Sequence, residues 1–258
     1  MTTAEKPPKD QPNTGAAPMS REWHWHPDLP VKYTPYWLWP AKPGVVAKWV
    51  WQNWLQFSDR SIFLALAFLV AFWLQPVEPE QAGFAFGWMA WVFVRNWLLL
   101  LIVAGGLHHW FYGIDGQGKL LKYDPRPYFK RKNALFKFGY QTWDNVYYSM
   151  MFGATFLSVL ECFLRWSYAS GLINTLSFSA HPVWFIALFP VLALWQSLHF
   201  YAVHLVLHQP AIYKYVHAVH HRNVNTGPWS GMSMHPIEAF SYLSAILIVL
   251  LLPSHPVH

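Results

Sequence analysis

The sequence predicts an all-α, polytopic membrane protein with about four to five transmembrane helices and a cytosolic cap of histidine-rich helices. Three observations predict this fold class. The chain of 258 residues is 54% hydrophobic and 19% aromatic. Only 12% of its residues are charged, whereas a soluble domain carries about 25%. Five strongly apolar segments follow the N-terminal region.

Composition also excludes several classes of protein. A wholly disordered chain is excluded because apolar residues are too abundant. A disulfide-stapled scaffold is excluded because Cys162 is the only cysteine. The net charge of +6 does not indicate a nucleic-acid partner, because the cations are distributed between the apolar segments.

Three regions follow one another along the chain. Residues 1–20 are rich in Pro, Lys and Thr and predict a disordered tail. Residues 21–57 are rich in Trp, which prefers the membrane–water boundary. Within them, 45–57 is either a short helix in that interface or an ordinary packed loop. Residues 58–258 form the predicted membrane domain.

The five apolar segments supply the candidate spans, and they cover residues 61–77, 83–106, 146–165, 183–206 and 237–253. A helix needs about 20 residues to cross the hydrocarbon core. The first and last segments are therefore short for a span.

The distribution of cations predicts the topology. Sixteen of the 18 Lys and Arg residues lie before the first segment, between the second and third, or between the fourth and fifth. The other two connections, 78–81 and 166–182, contain none. The positive-inside rule then places the N-terminus and the histidine-rich loops in the cytoplasm. The membrane is the plasma (inner) membrane in a bacterium or the endoplasmic reticulum in a eukaryote.

Two cations lie inside apolar segments. Arg95 falls within the second segment, where an ionised group is costly and usually paired. Glu161 and Arg165 are four residues apart and share a helix face. Arg95 therefore either pairs structurally, with Glu161 as one candidate partner, or contacts a substrate.

The histidines carry the clearest chemical signal. His204 and His208 share one helix face at the end of the fourth segment, and Pro210 breaks that helix. A second face carries His217, His220 and His221. Neutral imidazole is a good ligand for iron, zinc, copper and nickel. Five imidazoles in this pattern favour a site with two metal ions.

This stretch resembles the membrane-bound fatty acid hydroxylase and sterol desaturase superfamily. The superfamily's first two histidine boxes, H-x3-H and H-x2-H-H, match 204–208 and 217–221, and residues 223–238 resemble the segment that leads to its H-P-x-E motif. The resemblance implies a helical membrane domain whose cytosolic cap holds two non-haem iron ions. It also implies O2-dependent hydroxylation or desaturation of a lipid, either a sterol or a fatty acyl chain. The electron donor would be a ferredoxin or a cytochrome b5-like protein.

The resemblance also implies site residues. The implied metal ligands are His204, His208, His217, His220, His221 and, with helix capping as its alternative, His235. Glu238 either orients a ligand histidine or stabilises the start of a helix. Trp229 and Ser230 are expected to line the substrate entrance, and Arg95 is a candidate substrate contact.

One departure from the superfamily bears on function. A third histidine box is expected after the last membrane helices, and residues 254–258 do not reproduce it. We therefore expect a fragment of a longer protein, a remnant that cannot hold both metals, or a chain that assembles with another polypeptide. The alternative functions are a non-catalytic truncated homologue and a membrane metal-binding or transport protein. Transport predicts ionisable residues along the spans, which show few beyond Arg95 and Glu161.

Overall fold

The computed structural model describes residues 34–55, 59–76, 82–116, 118, 132–223 and 225–258. The predicted tail 1–20 lies outside these residues. Regular structure in the described ranges is helical, apart from an isolated parallel bridge between Thr175 and Ser254. The all-α prediction is therefore confirmed. The chain divides into two compact units, Met1–Leu64 and Ala65–His258.

The first unit contains the Trp-rich segment, in which residues 45–57 were predicted to be either a helix or a loop. The described residues of that stretch, 45–55, are helical. A 3-10 turn spans Pro35–Trp37, helix α1 spans Pro43–Val50, and a π-helical turn spans Trp51–Leu55. Pro43 begins α1 because proline suits the first helical position. Trp39 is 94% exposed, which is typical of a side chain with a nonprotein neighbour such as lipid.

Two helices follow, and the second is the first long apolar span. Helix α2 spans Asp59–Trp73. Helix α3 spans Phe86–His108 and continues through a π-helical turn, His109–Gly113.

The next two long helices build the scaffold of the site. Helix α4, Gln141–Tyr148, continues through the π-helical turn Ser149–Ala154 into helix α5, Thr155–Ala169. After the connection, helix α6 spans Pro182–Leu207.

The C-terminal region consists of short helices. Helix α7, Pro210–Ile212, leads through a π-helical turn, Tyr213–His217, into helix α8, Ala218–His221. A 3-10 turn, Ser230–Met232, precedes helix α9, Pro236–Leu243, which ends in the 3-10 segment Ser244–Leu250. Because Pro210 has no N–H to continue α6, the chain restarts there as a new helix.

Within the described ranges, three continuous helical stretches are long and apolar enough to cross a membrane: Phe86–Gly113, Gln141–Ala169 and Pro182–Leu207. Two shorter apolar helices, Ser61–Trp73 and Pro236–Leu250, account for the first and last predicted segments. The polytopic architecture and the shortness of these two segments are therefore confirmed. By length, three of the described helical stretches are spans, and two shorter ones are further candidates. The sequence predicted four to five spans.

The spans contain a polar network around the two intramembrane arginines. Arg95 is 3% exposed and forms an ion pair with Glu161 on α5. Glu161 also pairs with Arg165 at 2.8 Å and accepts a hydrogen bond from Asn96. The pairing that the sequence offered as one possibility for Arg95 is thus present, and it joins α3 to α5. Separating the two helices would break this ion pair and leave a buried charge uncompensated. The pair therefore opposes their separation.

Candidate metal centre

The last turn of α6 presents the first histidine pair. His204 and His208 are four residues apart, so their rings stack on one face with centroids 4.6 Å apart. Their Nε2 atoms are 2.8 Å apart. At this distance one Nε2 donates a hydrogen bond to the other, or the lone pairs of both are directed at one shared cation.

The segment after Pro210 folds back and places a second histidine pair beside the first. His217 ends the π-helical turn and His221 ends α8. Their Nε2 atoms are 2.9 Å apart, and the His217 ring lies 4.8 Å from the rings of both His204 and His208. The break at Pro210 therefore folds two separate i, i+4 pairs against each other.

The four histidines together form what we call the four-histidine cluster: His204, His208, His217 and His221. One ring nitrogen from each lies within 4.8 Å of the others. A metal ion binds imidazole nitrogen at about 2.0–2.1 Å, so neighbouring ligands of one ion lie about 3.0–3.4 Å apart. The spacing and chemistry of these donors therefore fit a transition-metal ion.

The second ring nitrogens of two cluster histidines are held by helix α9. Nδ1 of His217 lies 2.7 Å from Oε1 of Glu238, and both side chains are fully buried. Nδ1 of His204 lies 2.8 Å from the Tyr242 hydroxyl. Metal-ligating histidines commonly hold their outer nitrogen in this way, which fixes the tautomer and the ring orientation.

Electrostatics keep His217, which is buried, and His221, which is exposed, uncharged. Burial, aided by the neighbouring histidines, lowers the pKa of His217 to about 3. The same causes lower the pKa of His221 to about 4. Both rings are therefore neutral at pH 7, which is the form that binds a metal. Burial also raises the pKa of Glu238 to about 8, so the His217–Glu238 contact is a hydrogen bond rather than a pairing of two opposite charges.

The other two candidate histidines lie outside the cluster. His220 stacks on His217 with ring centroids 5.9 Å apart, and its Nδ1 lies 3.4 Å from the Ser233 carbonyl oxygen. His235 caps α9, where its Nδ1 accepts a hydrogen bond from the Ile237 N–H at 3.3 Å. His235 thus has the capping contact that the sequence offered as the alternative to a ligand role. Glu238 contacts a histidine in addition to lying in the first turn of α9.

The two residues expected at a substrate entrance are buried. Trp229 and Ser230 are each 4% exposed. The Trp229 carbonyl accepts a hydrogen bond from the Ser149 hydroxyl, and the Ser230 hydroxyl donates to the Gly227 carbonyl. In the described part of the chain these residues anchor the loop after the second histidine pair. Arg95 contacts Glu161 of the polar network, as described above.

A polar face of α4 holds that same loop, and sequence reasoning did not identify it. Four side chains on this face contact the loop. Gln141 contacts the Asn225 carbonyl, Asp144 pairs with Arg222, and Asn145 contacts Ser233. The fourth is the Ser149 contact. Gln141, Asn145 and Ser149 follow one another at intervals of four, and Asp144 follows Gln141 by three, so all four share one helical face. That periodicity of polar residues at the start of an apolar helix is the signal that could have found them.

Tyr242 was missed as well. It follows Glu238 by four residues and therefore lies on the same face of α9. A tyrosine in an apolar helix does not by itself indicate a role, so the only available signal was this spacing.

Comparisons with known proteins agree with this geometry. Residues 189–258 match the model of the fatty acid hydroxylase family. A Δ7-sterol 5(6)-desaturase of Gibberella zeae is 38% identical over 45 residues, which are 17% of this chain and 14% of that protein. A fatty acid hydroxylase of Mycosarcoma maydis is 43% identical over 70 residues, 26% of this chain and 18% of that protein.

The extent of these matches is limited to part of each protein. A Δ7-sterol 5(6)-desaturase of Aspergillus fumigatus aligns over 16% of this chain and 12% of its own length, at 35% identity. The chain thus spans less than a fifth of each of these three relatives. No solved structure is significantly similar to this chain. The matched region contains the four-histidine cluster and α9.

Proposed function

We propose that this chain, whose residues 189–258 match the fatty acid hydroxylase family, is a membrane-bound non-haem iron oxygenase that acts on a lipid. The observation that carries the proposal is the four-histidine cluster, whose donors lie within 4.8 Å of one another. The lipid is a sterol or a fatty acyl chain, and O2 is the co-substrate. Hydroxylation and desaturation are both compatible with this chemistry.

The residues present fit an iron site. Imidazole is a suitable ligand for non-haem iron, and the four rings are held close together before any ion arrives. The superfamily pattern calls for two irons. His220 and His235 are the proposed additional ligands, because they lie on the same short helices as the cluster or at the start of α9. When bound, the irons would supply the binding and reduction of O2.

The protein's own residues would orient the ligands and control protons. For Nε2 to bind a metal, the proton of the imidazole must be on Nδ1. In that tautomer, Glu238 would accept a hydrogen bond from Nδ1 of His217, and the Tyr242 oxygen would accept one from Nδ1 of His204. Full burial of the His217–Glu238 pair also excludes water from this side of the cluster.

The membrane helices would bring the substrate to the cluster. His204 lies at the end of the apolar span Pro182–Leu207, so an apolar chain in the bilayer needs no passage through water to reach it. The cation distribution supports a cytoplasmic location for the cluster. A ferredoxin or a cytochrome b5-like protein would then donate electrons from the cytoplasmic side.

Metal analysis of the purified chain tests the proposal. Wild-type protein in lipid nanodiscs, loaded with Fe(II) under anaerobic conditions and desalted, should retain iron. His217→Ala should lose most of it. His199→Ala is the matched control. His199 lies on α6, the helix that carries His204, but it contacts Ser244 rather than the cluster. Retention of equal iron by His217→Ala and wild type would exclude the cluster as the iron site.

Turnover is the second part of the test. Iron-loaded protein, supplied with O2, a reduced electron donor and a panel of sterols and acyl lipids, should yield a product that has gained one oxygen atom or lost two hydrogen atoms. Iron binding without such a product would favour the alternative of a membrane metal-binding protein.

A further inference from the structure

A cavity of about 390 Å³ lies between α5, α6 and the C-terminal 3-10 segment. Most of its wall is apolar, and the principal apolar side chains are Leu157, Leu164, Leu192, Ile246 and Val249. Glu161 and Arg165 also line it. An apolar chamber of this size with a few polar groups is typical of a small-molecule site.

The cavity is separate from the four-histidine cluster. On α6, the lining residues Leu192, Trp195 and Gln196 precede His204 by eight to twelve residues, or about 12–18 Å along the helix axis. On α5, Arg165 lies near the C-terminal end, whereas Ser149, before its N-terminal end, contacts the histidine-bearing loop through Trp229. The polar wall of the cavity and the cluster are therefore at opposite ends of the same helices.

Among the described residues, the ion-pair network that includes Arg165 and Glu161 of the wall and Arg95 behind it has one more cation than carboxylate. Arg95 and Arg165 share one carboxylate, that of Glu161, and in the described part of the chain neither arginine contacts a second one. Arg95 has neutral acceptors in Asn96, Gln75 and the Leu74 carbonyl. Among the described residues, Arg165 bonds only to Oε1 of Glu161, through Nε and Nη2. An uncompensated cation inside an apolar span is costly and usually marks a functional site.

We propose that this cavity binds a single-chain amphiphile whose carboxylate pairs with Arg165 and whose hydrocarbon chain fills the apolar chamber. A carboxylate carries one negative charge, which matches the surplus. A phosphate monoester carries about −1.5 to −2 and would exceed it. Guanidinium binds carboxylate with parallel hydrogen bonds, and Arg165 retains N–H groups that Glu161 does not use. That this ligand is also the oxidised substrate rests on the proposed function, whereas its binding does not.

Binding to iron-free protein tests the proposal. The protein is placed in nanodiscs of neutral phosphatidylcholine, and radiolabelled hexadecanoic acid is compared with hexadecanol at pH 8. Wild type should bind the acid at least about tenfold more tightly than the alcohol, since a charge-assisted pair is worth about 1.5–3 kcal/mol. Arg165→Gln should bind both equally, and Arg165→Lys should restore part of the preference.

Two variants that fill the chamber separate binding in the cavity from partition into the bilayer. Leu192→Trp should abolish saturable binding of both ligands, and Ile246→Trp should do the same from another wall. Leu194→Trp is the matched control, because Leu194 is on the same helix, 72% exposed and not part of the lining. Equal binding by all three variants, or no preference for the acid in wild type, would overturn the proposal. Because no iron is present, failure of the iron test leaves these results unaffected.

Discussion

The Tyr242 hydroxyl lies 2.8 Å from Nδ1 of His204, across 38 residues of sequence. Tyr242 is 8% exposed and packs with Leu207 and Val216 in one apolar group. Its ring also stacks on Phe200 with centroids 4.9 Å apart. The hydroxyl is thus held by packing, so it fixes the orientation of the His204 ring.

Tyr242→Phe should weaken metal binding without unfolding the protein. The substitution keeps the packed ring and removes only the partner of His204 Nδ1. Loss of such an outer contact commonly costs about 10–100-fold in metal affinity. Co(II) titration followed by visible absorption measures it. Tyr201→Phe is the control, because Tyr201 is 65% exposed on α6, and an equal loss in both variants would contradict the role of Tyr242.

At position 238, an amide side chain should impair metal binding less than an apolar side chain. Glu238→Gln keeps an oxygen that accepts from Nδ1 of His217, so we expect a loss of metal affinity smaller than tenfold. Glu238→Ala leaves that buried donor unpaired, which costs about 1–3 kcal/mol in stability, and metal affinity should fall by about 10–100-fold. Thermal unfolding and metal titration of both variants check this. A Gln variant as impaired as the Ala variant would show that the charge of Glu238, rather than its hydrogen bond, is required.

Glu161→Leu should be strongly destabilising. It leaves Arg95 and Arg165 inside the spans without their shared carboxylate, and removal of one partner of a buried ion pair costs about 3–5 kcal/mol. The double variant Arg95→Met, Glu161→Leu removes one of the two stranded cations and should recover part of that loss. Unfolding in nanodiscs measures both variants. A double variant less stable than Glu161→Leu would contradict this account of the network.

Asp144→Asn should loosen the loop that carries Arg222 to Ser233. Asp144 is fully buried, pairs with Arg222 and accepts a 2.7 Å hydrogen bond from the Lys137 N–H. The amide loses the ion pair, so the loop should show faster amide exchange and the cluster a lower metal affinity. Hydrogen–deuterium exchange measures the first effect. Exchange unchanged in residues 222–233 would show that the remaining contacts of α4 suffice.

The close approach of loop and helix depends on a small residue. A Cβ atom at Gly153 would lie 2.9 Å from the Met232 side chain. Gly153→Val should therefore displace the loop, and Gly171→Ala, outside this contact, is not expected to do so. A crosslink between cysteines introduced at 149 and 229 reports the displacement. Equal crosslinking yields in both variants would argue against steric displacement.

Several features could be predicted because they depend on local sequence. Apolar segments long enough for a span identify the helices Phe86–Gly113, Gln141–Ala169 and Pro182–Leu207. The i, i+4 spacing of His204 and His208 places both rings on one face of any helix. Pro210 ends α6 because it supplies no N–H to the helix. Each of these inferences involves neighbours within one or two turns.

Other features could not be predicted because they depend on contacts between distant residues. The sequence marked five histidines equally, and the structure brings four into one cluster while His220 turns toward the Ser233 carbonyl. The sequence predicts Trp229 at a substrate entrance, yet its side chain is buried beside Gly105. The distinction arises from where the loop packs, which no local pattern specifies.

The amino-acid sequence by itself determined the helical membrane class, the shortness of the terminal apolar segments and the two histidine pairs, because hydropathy and helical period are properties of short segments. Only the tertiary structure decided that the pairs meet, that Glu238 and Tyr242 hold their outer nitrogens, and that two arginines share one carboxylate beside a cavity. The contacts of Glu238 with His217, Tyr242 with His204 and Arg95 with Glu161 join residues 21 to 66 positions apart. They form only when helices pack, and packing is determined by the whole set of side chains rather than by any one motif.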